Sequence, residues 1–433
     1  MLRFPARAKR TCDKAIVVLM VLLLVFGLIT LFSATYYPRT AAGDPLSAVK
    51  KQLIGVGLGA FACVFLSRVP YRVLRSGRVM LALLAVSALL LVLVIIPGIG
   101  VSINGSRRWL NLMGLSMQPS EFAKYAMVIF MAGALDRRSE ELHSLFRGVI
   151  PLLIVPGVMF LLILEQPNLS TGGSILICAL MMLFCAGLRW VHLALLGVCG
   201  AGVFAFYAWS APYRRERLLS FRDPFAKMSD EGYQLSQSLI ALGSGGLFGM
   251  GLGQGKQKFA YLPYPESDFI FAIVGEDFGL VGCSVVIALF VLFVYAGLRV
   301  SLRCPDRYGC LLGAGITSMI GLQALINMGV VTGMMPTTGL PLPFFSAGGT
   351  SVSMIMAAVG IMFSTLFQAV GKGLYSMTMS VLRQLVVLLP VAYLHSKINM
   401  TVMWFSFPIA EVVCLIIGII FFILLRKKEF SKL

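Results

Sequence analysis

Apolar runs of about twenty residues recur along this chain, and this pattern constrains the fold more than any other feature. The mean hydropathy of +0.90 over 433 residues is typical of a polytopic membrane protein. Only helices or closed barrels satisfy backbone hydrogen bonds in lipid, so we predict an all-α bundle. Ten of the runs lie before residue 370, at about 15–36, 52–69, 79–98, 117–135, 147–166, 171–187, 189–210, 268–299, 310–332 and 348–369. Two more lie at about 377–394 and 402–425.

Basic residues between these runs predict the orientation of the bundle. Lysine and arginine concentrate on the cytoplasmic side of membrane proteins. The basic clusters at 68–78, 137–147, 299–307 and 426–428 all fall on that side if both termini are cytoplasmic. The net charge of +18 therefore indicates the positive-inside topology of a plasma-membrane protein and contact with anionic lipids. We expect no nucleic-acid partner. The nine cysteines and three histidines form neither a disulfide framework nor a metal-ligand cluster in the sequence.

One outward segment, residues 211–267, is long enough to suggest a function of its own. It contains the glycine-rich stretch "GYQLSQSLIALGSGGLFGMGLGQGKQK" at 232–258. A phosphate-binding loop is excluded because Met250 and Gln257 occupy positions where that motif needs glycine and a hydroxyl. We favour the interpretation that these glycines let a re-entrant or surface segment pack closely on helices.

Four of the 18 acidic residues crowd into "YLPYPESDFIFAIVGEDFG" at 261–279. Asp268 stands at the start of the eighth run, where a carboxylate can cap a helix, act as a general base at the membrane surface, or do both. Glu276 and Asp277 lie deeper in the same run. Ionisable groups at that depth are costly, so we expect each to face a cavity or a partner.

Three other polar motifs flank the apolar runs, and each leaves two interpretations open. In "QPSEFAKYA" (118–126), Glu121 and Lys124 form either a structural ion pair on one helical face or part of a substrate site. In "NGSRRWLN" (104–111), Arg107, Arg108 and Trp109 are either interfacial anchors or phosphate ligands. The Pro- and Gly-broken turns at 165–173 and 332–351 either line a cavity or plug one another.

An outward cavity has no nucleotide supply, so bond formation there requires an activated substrate carried by the membrane. Interfacial arginines suit a lipid pyrophosphate, and one carboxylate suffices to deprotonate an acceptor hydroxyl. A pyrophosphate leaves without a second carboxylic acid if cations neutralise it. The residues therefore indicate sugar transfer from a lipid carrier.

The motifs "NGSRRW", "QPSEFAK", "QSLIALGSGGLFGMGLGQGKQK", "LPYPESDFIFAIVGEDFG" and "NMGVVTGMMPTTGLPLPFFSAGGTS" resemble those of the SEDS family, the FtsW, RodA and SpoVE peptidoglycan polymerases. The resemblance implies a ten-helix core that polymerises lipid II into glycan strands with inversion and undecaprenyl pyrophosphate as leaving group. It implies Asp268 as the catalytic residue, with a class B penicillin-binding protein and divisome proteins as partners. "SATYY" and "FFSAGGTS" are closer to the FtsW-like division branch, which implies a location at the septum. Candidate substrate-binding residues are Arg107, Arg108, Trp109, Glu121, Lys124, Arg214, Arg215, Gln234, Lys258, Ser346 and Thr350.

Two departures from the family pattern matter. "QPNLST" carries Asn168 and Ser170 where many members have Asp and Gly, which weakens a metal site in that turn and leaves a Mg²⁺ or Mn²⁺ requirement open. The tail after residue 372, with "WFSFPIAE", resembles the last helices of a MATE (multidrug and toxin extrusion) transporter. We therefore divide the chain into a core at 1–372 and a two-helix hairpin at 373–433. A lipid II flippase and a non-catalytic scaffold for the penicillin-binding protein remain the alternative functions.

Overall fold

The computed structural model describes residues 14–40, 44–103, 106–112, 115–209, 215, 221–226, 232–259 and 261–369. The predicted C-terminal hairpin at 373–433 lies outside these residues. Within them the chain is a helical bundle, and the predicted all-α class is confirmed. Each of the ten apolar runs before residue 370 coincides with a helix.

The helices are α1 (Lys14–Thr40), α2 (Ser47–Arg68), the short α3 (Tyr71–Leu74), α4 (Gly77–Ile95), α5 (Pro119–Arg137), α6 (Ile150–Leu164), α7 (Leu169–Cys185), α8 (Trp190–Trp209), α9 (Tyr233–Gly245), α10 (Ile270–Leu302), α11 (Arg307–Val331) and α12 (Gly349–Ala369). A 3₁₀ turn (Glu141–His143) and a π turn (Leu145–Val149) precede α6. The three strands are β1 (Gly100–Ile103), β2 (Ser106–Leu112) and β3 (Leu115–Met117).

Six of the described helical segments are long and apolar enough to cross a membrane: Ala15–Tyr37, Ser47–Arg68, Gly77–Ile95, Leu145–Leu164, Ile270–Leu302 and Arg307–Val331. Three shorter apolar helices accompany them, at Leu169–Cys185, Trp190–Val203 and Gly349–Thr365. Helix α5 differs because most of its side chains are buried inside the bundle, including the charged Glu121 and Lys124. Its surroundings are protein, and a strongly apolar surface is not required there.

Small residues allow close packing between α2 and α12. A Cβ added to Gly55 would collide with the backbone of Gly349, and one added to Gly360 would lie 2.6 Å from the Cα of Cys63. Such contacts between small residues are the usual means by which membrane helices associate, since lipid removes the hydrophobic driving force. The close packing of α2 against α12 holds the first residues of α12, and the loop that precedes them, in position.

The three strands form a small antiparallel sheet in the order β1-β2-β3 between α4 and α5. Val101 pairs with Trp109 and Ser102 with Arg107, so the register shifts by one residue between the two pairs. This sheet was not predicted from the hydropathy pattern. An Asn-Gly dipeptide separates β1 from β2 in the sequence, and this is the strongest short-range hairpin signal.

Helix α10 breaks at Gly279, whose φ is 66°, and the segment 246–251 after α9 fills the break. Met250 N donates to Glu276 O (2.9 Å) and Gly251 N to Asp277 O (3.1 Å). In return Leu280 N donates to Gly246 O (2.9 Å) and Val281 N to Leu247 O (3.1 Å). The segment thus satisfies the backbone groups that the kink releases, as lipid requires.

Three glycines between residues 245 and 255 lie against α10. A Cβ on Gly245 or Gly249 would collide with backbone atoms of Gly275 or Asp277, and one on Gly255 would collide with the Glu276 carboxylate. The interpretation that these glycines permit close packing on helices is therefore confirmed for these three, whereas a Cβ on Gly243, Gly246 or Gly253 would meet nothing within 4 Å.

Candidate functional site

Irregular segments from four parts of the chain meet around Asp268. Asp268 is half-buried and lies in the turn that precedes α10. The N-cap position of α10 is Phe269, whose side chain makes no capping hydrogen bond. The interpretation of Asp268 as a helix cap is therefore wrong: the helix begins two residues later than the apolar run suggests, so the carboxylate precedes the position from which a side chain caps.

The backbone around Asp268 is held by three separate donors. Ala347 N donates to Glu266 O (2.7 Å), and Ser346 Oγ donates to Ser267 O (2.5 Å). Asn327 Nδ2 donates to Asp268 O (2.7 Å). Three consecutive carbonyls are therefore bound to α11 and to the loop that leads into α12.

Arg108 approaches Asp268 from the sheet. A Cβ added to Gly339, in the loop after α11, would lie 3.4 Å from Asp268 Oδ2 and 3.8 Å from Arg108 Nη1. The carboxylate and the guanidinium therefore face the same glycine. Arg108 Nε also donates to Gln166 O (3.1 Å), and its Nη2 donates to Pro167 O, so β2 is joined to the turn after α6.

Glu121 and Lys124 form a buried ion pair at 2.8 Å, which confirms the predicted pairing on one face of α5. Lys124 Nζ also donates to Gln323 Oε1 (2.6 Å), and Glu121 Oε2 accepts from Ser351 Oγ (2.9 Å). The pair links α5 to α11 and α12. Both side chains are almost fully buried, so the structure favours the structural interpretation over direct substrate contact.

Lys258 is fully buried, and its Nζ lies 2.6 Å from Asp277 Oδ1 and 2.8 Å from Ser33 Oγ. Ser33 Oγ donates in turn to Asp277 Oδ2. Asp277 therefore has the partner that its depth required. The predicted role of Lys258 as a pyrophosphate ligand does not fit this position, because a substrate would have to displace a buried carboxylate. The other deep carboxylate, Glu276, accepts from Gln257 N (2.9 Å).

The remaining candidate residues differ in exposure. Arg107 is exposed beside Arg108, whereas Trp109 and Thr350 are half-buried.

Gln234 is half-buried and donates to Pro263 O (3.3 Å), so it holds the loop that leads to Asp268. Ser346 is buried with its hydroxyl on Ser267 O. Arg215 is exposed, and Arg214 lies outside the described residues.

Three residues near Asp268 were missed by the sequence analysis: Gln323, Asn327 and Gly339. Gln323 Nε2 donates to Pro341 O (2.8 Å), and Asn327 Nδ2 donates to Leu340 O (2.7 Å) as well as to Asp268 O. The two amides are four residues apart on α11 and therefore share a face. Two amide side chains four residues apart within an apolar run were the feature of the sequence that could have indicated a polar face on this helix.

No three His, Cys, Asp or Glu side chains among the described residues come close enough to share a metal ion. In the turn after α6, Asn168 Oδ1 accepts from Thr171 N (3.3 Å) and so caps α7. The arrangement around Asp268 supplies one carboxylate beside one guanidinium. It can accept a proton from a hydroxyl group next to a site suited to an anion.

Known proteins resemble this chain over most of its length. The family model FTSW_RODA_SPOVE, described as cell cycle protein, matches residues 13–369. Stage V sporulation protein E of Bacillus subtilis (strain 168) is 42% identical over 357 residues, which cover 82% of this chain and 97% of that protein. The probable peptidoglycan glycosyltransferase FtsW of Geobacter sulfurreducens is 36% identical over 353 residues, which cover 81% and 94%.

Two solved structures have the same fold over a similar length. A chain from a study of the structural coordination of polymerization and crosslinking by a peptidoglycan synthase complex has a TM-score of 0.67 at 28% identity, covering 82% of this chain and 97% of that chain. The rod shape determining protein RodA of Thermus thermophilus has a TM-score of 0.59 at 28% identity, with the same two coverages, 82% and 97%.

Proposed function

Since the chain belongs to the cell cycle protein family of FtsW, RodA and SpoVE, we propose that it is a peptidoglycan glycosyltransferase that polymerises lipid II on the outer face of the plasma membrane. Curated relatives named as probable peptidoglycan glycosyltransferases support this activity. The observation that carries the proposal is the convergence of Asp268 and Arg108 on Gly339 at the turn before α10. That arrangement offers a base next to a cation, as transfer from a lipid pyrophosphate requires.

The reaction joins an incoming lipid II to the growing strand. The 4-hydroxyl of the incoming sugar attacks the anomeric carbon of the sugar at the reducing end of the strand, which is still attached to its lipid pyrophosphate. A new carbon–oxygen bond forms as the bond to the pyrophosphate oxygen breaks, with inversion at that carbon. Asp268 takes the hydroxyl proton, and undecaprenyl pyrophosphate leaves with the bonding electron pair.

Cations near Asp268 stabilise the charge that develops on the leaving group. Arg108 is the best positioned of them because its Nη1 faces Gly339 beside the Asp268 carboxylate. Arg107 is exposed next to it and can bind the second phosphate. Arg214 and Arg215 remain candidates in the long outward segment. Lys258 does not belong to this set because its side chain is buried against Asp277.

We further propose that a class B penicillin-binding protein is the partner. One similar solved structure belongs to a peptidoglycan synthase complex that coordinates polymerisation with crosslinking. We also propose a division role at the septum, which the FtsW-like motifs and the relatives that bear that name support. We propose that both termini are cytoplasmic, an orientation that the distribution of basic clusters along the sequence supports.

The test is polymer formation from purified lipid II by the chain together with its penicillin-binding partner. Asp268→Asn keeps the shape of the side chain and removes the base, so we expect loss of glycan synthesis of about 100-fold or more. Asp44→Asn is the control, because Asp44 is an exposed acid in the connection between α1 and α2, where its carboxylate contacts Lys50 Nζ and Leu46 N. It should polymerise like the parent protein.

A fully active Asp268→Asn would refute the mechanism. If the same variant also moved labelled lipid II across proteoliposome membranes at the parent rate, the flippase would be the better function. Normal growth of cells that carry only Asp268→Ala would instead support a scaffold.

A further inference from the structure

We propose that Asn327 and Ser346 form a carbonyl clamp, two side-chain donors on the backbone of Ser267 and Asp268, that positions the Asp268 carboxylate for proton transfer. Asn327 Nδ2 holds Asp268 O at 2.7 Å, and Ser346 Oγ holds Ser267 O at 2.5 Å. This inference rests on the proposed role of Asp268 as the base. It adds two positioning residues that do not touch the substrate.

The clamp acts on both peptide groups that flank the α-carbon of Asp268. Ser267 O belongs to the planar peptide group before that carbon, and Asp268 O belongs to the one after it. Fixing both planes fixes the φ and ψ angles of Asp268 and therefore the direction of its Cα–Cβ bond. Asp268 precedes the first residue of α10, so the helix itself does not impose this orientation.

Both donors are themselves held in place. Asn327 is buried on α11, and both of its amide hydrogens are used, one on Asp268 O and one on Leu340 O (2.7 Å). Its two neighbours are carbonyl oxygens, which only accept, so the amide nitrogen must face them. Ser346 Oγ accepts from Leu342 N (2.7 Å), which directs its proton towards Ser267 O.

The second bond of Asn327 extends the clamp across the site. Leu340 follows Gly339, the residue that faces both the Asp268 carboxylate and Arg108. One amide thus fixes the backbone of the base relative to the loop that carries Gly339. Gln323 holds the next carbonyl of that loop, Pro341 O, at 2.8 Å. Rigid support of this kind is what proton transfer requires, because a displacement of about 1 Å can cost about 100-fold in rate.

The test compares Asn327→Ala and Ser346→Ala with Thr317→Val in the lipid II polymerisation assay. Thr317 is also buried on α11, but its hydroxyl binds Gly313 O within its own helix (2.8 Å), so Thr317→Val controls for the loss of a buried polar group. We expect Asn327→Ala to lower kcat by about 10- to 100-fold with KM for lipid II changed less than about threefold, since only the transition state needs the base in place. Ser346→Ala should show the same pattern with a smaller loss, and Thr317→Val should retain the parent kcat.

Equal kcat in Asn327→Ala, Ser346→Ala and the parent would overturn the clamp. So would a loss of kcat that Thr317→Val shares, because it would indicate general destabilisation. If Asn327→Ala does not accumulate in membranes, Ser346→Ala decides alone. Asp268→Asn, assayed in parallel, separates the two ideas: a fully active Asp268→Asn refutes the proposed function, whereas an inactive one beside a fully active Asn327→Ala refutes only the clamp.

Discussion

At the scale of single residues, the site depends on a glycine as much as on its charged groups. Gly339 has no side chain, and the space that a Cβ would fill adjoins both Asp268 Oδ2 and Arg108 Nη1. A reacting hydroxyl and a pyrophosphate must approach these two groups together. A side chain at residue 339 would therefore stand against both the carboxylate and the guanidinium.

Gly339→Leu should reduce kcat/KM for lipid II by about 100-fold or more, because its side chain would press against both the base and the guanidinium and displace them. Gly339→Ala should lose less, since its Cβ would make ordinary contacts of 3.4 Å and 3.8 Å there. The polymerisation assay measures both. Gly243→Ala is the control, as a Cβ on that glycine of α9 meets nothing within 4 Å. A parent-like Gly339→Leu would show that substrate does not pass this point.

At the scale of elements, the glycine-rich segment after α9 is built into α10. It supplies backbone partners at the Gly279 kink, and it delivers Lys258 to Asp277 in the interior. A buried ion pair stabilises little compared with apolar residues of the same shape, but removing one partner leaves an uncompensated charge. The structure therefore explains Lys258 by its partner on α10.

Lys258→Met alone should destabilise the protein by about 3–5 kcal/mol, because Asp277 would remain buried without its cation. Lys258→Met combined with Asp277→Asn should recover most of that loss, since neither charge remains. Thermal unfolding in detergent measures the stability of each variant, and lipid II polymerisation measures its function. A double variant that is stable but inactive would contradict the structural interpretation and support a role for Lys258 as a pyrophosphate ligand.

At the scale of the whole molecule, the family match ends at residue 369, close to the predicted boundary at residue 372. The tail beyond it is predicted to be a MATE-like hairpin, and the described residues that hold the backbone around Asp268 all precede residue 348. Membrane helices associate through close packing and polar contacts, and a hairpin taken from a transporter would present the wrong surface for this core. We therefore propose that the tail is dispensable.

Truncation after Gly373 should leave membrane insertion, thermal stability and glycan synthesis close to those of the full chain. Quantitative comparison of the two proteins in membranes and in the lipid II assay tests this expectation. A truncated protein that reaches the membrane normally but no longer makes glycan would show that the tail is a working part of the enzyme.

The sequence by itself determined the helical membrane class, the positions of ten helices and the family, and the comparisons confirm that resemblance. Run length and hydropathy suffice for this because lipid exposure selects apolar residues along each span. The pairing of Glu121 with Lys124 was also predictable, since three residues on one helix bring two side chains together.

Only the tertiary structure decided which polar groups meet across elements. Lys258 and Asp277 are 19 residues apart, and Asn327 is 59 residues from Asp268. Neither contact can be predicted from the spacing of residues along one helix. Inside a membrane bundle, each buried polar group takes whichever partner the neighbouring helix offers. That choice depends on packing at glycines such as Gly249 and Gly279, where backbone atoms approach closely enough to turn the segment after α9 towards α10. Hydropathy carries no information about such contacts, and so the support of Asp268 became visible only in the folded chain.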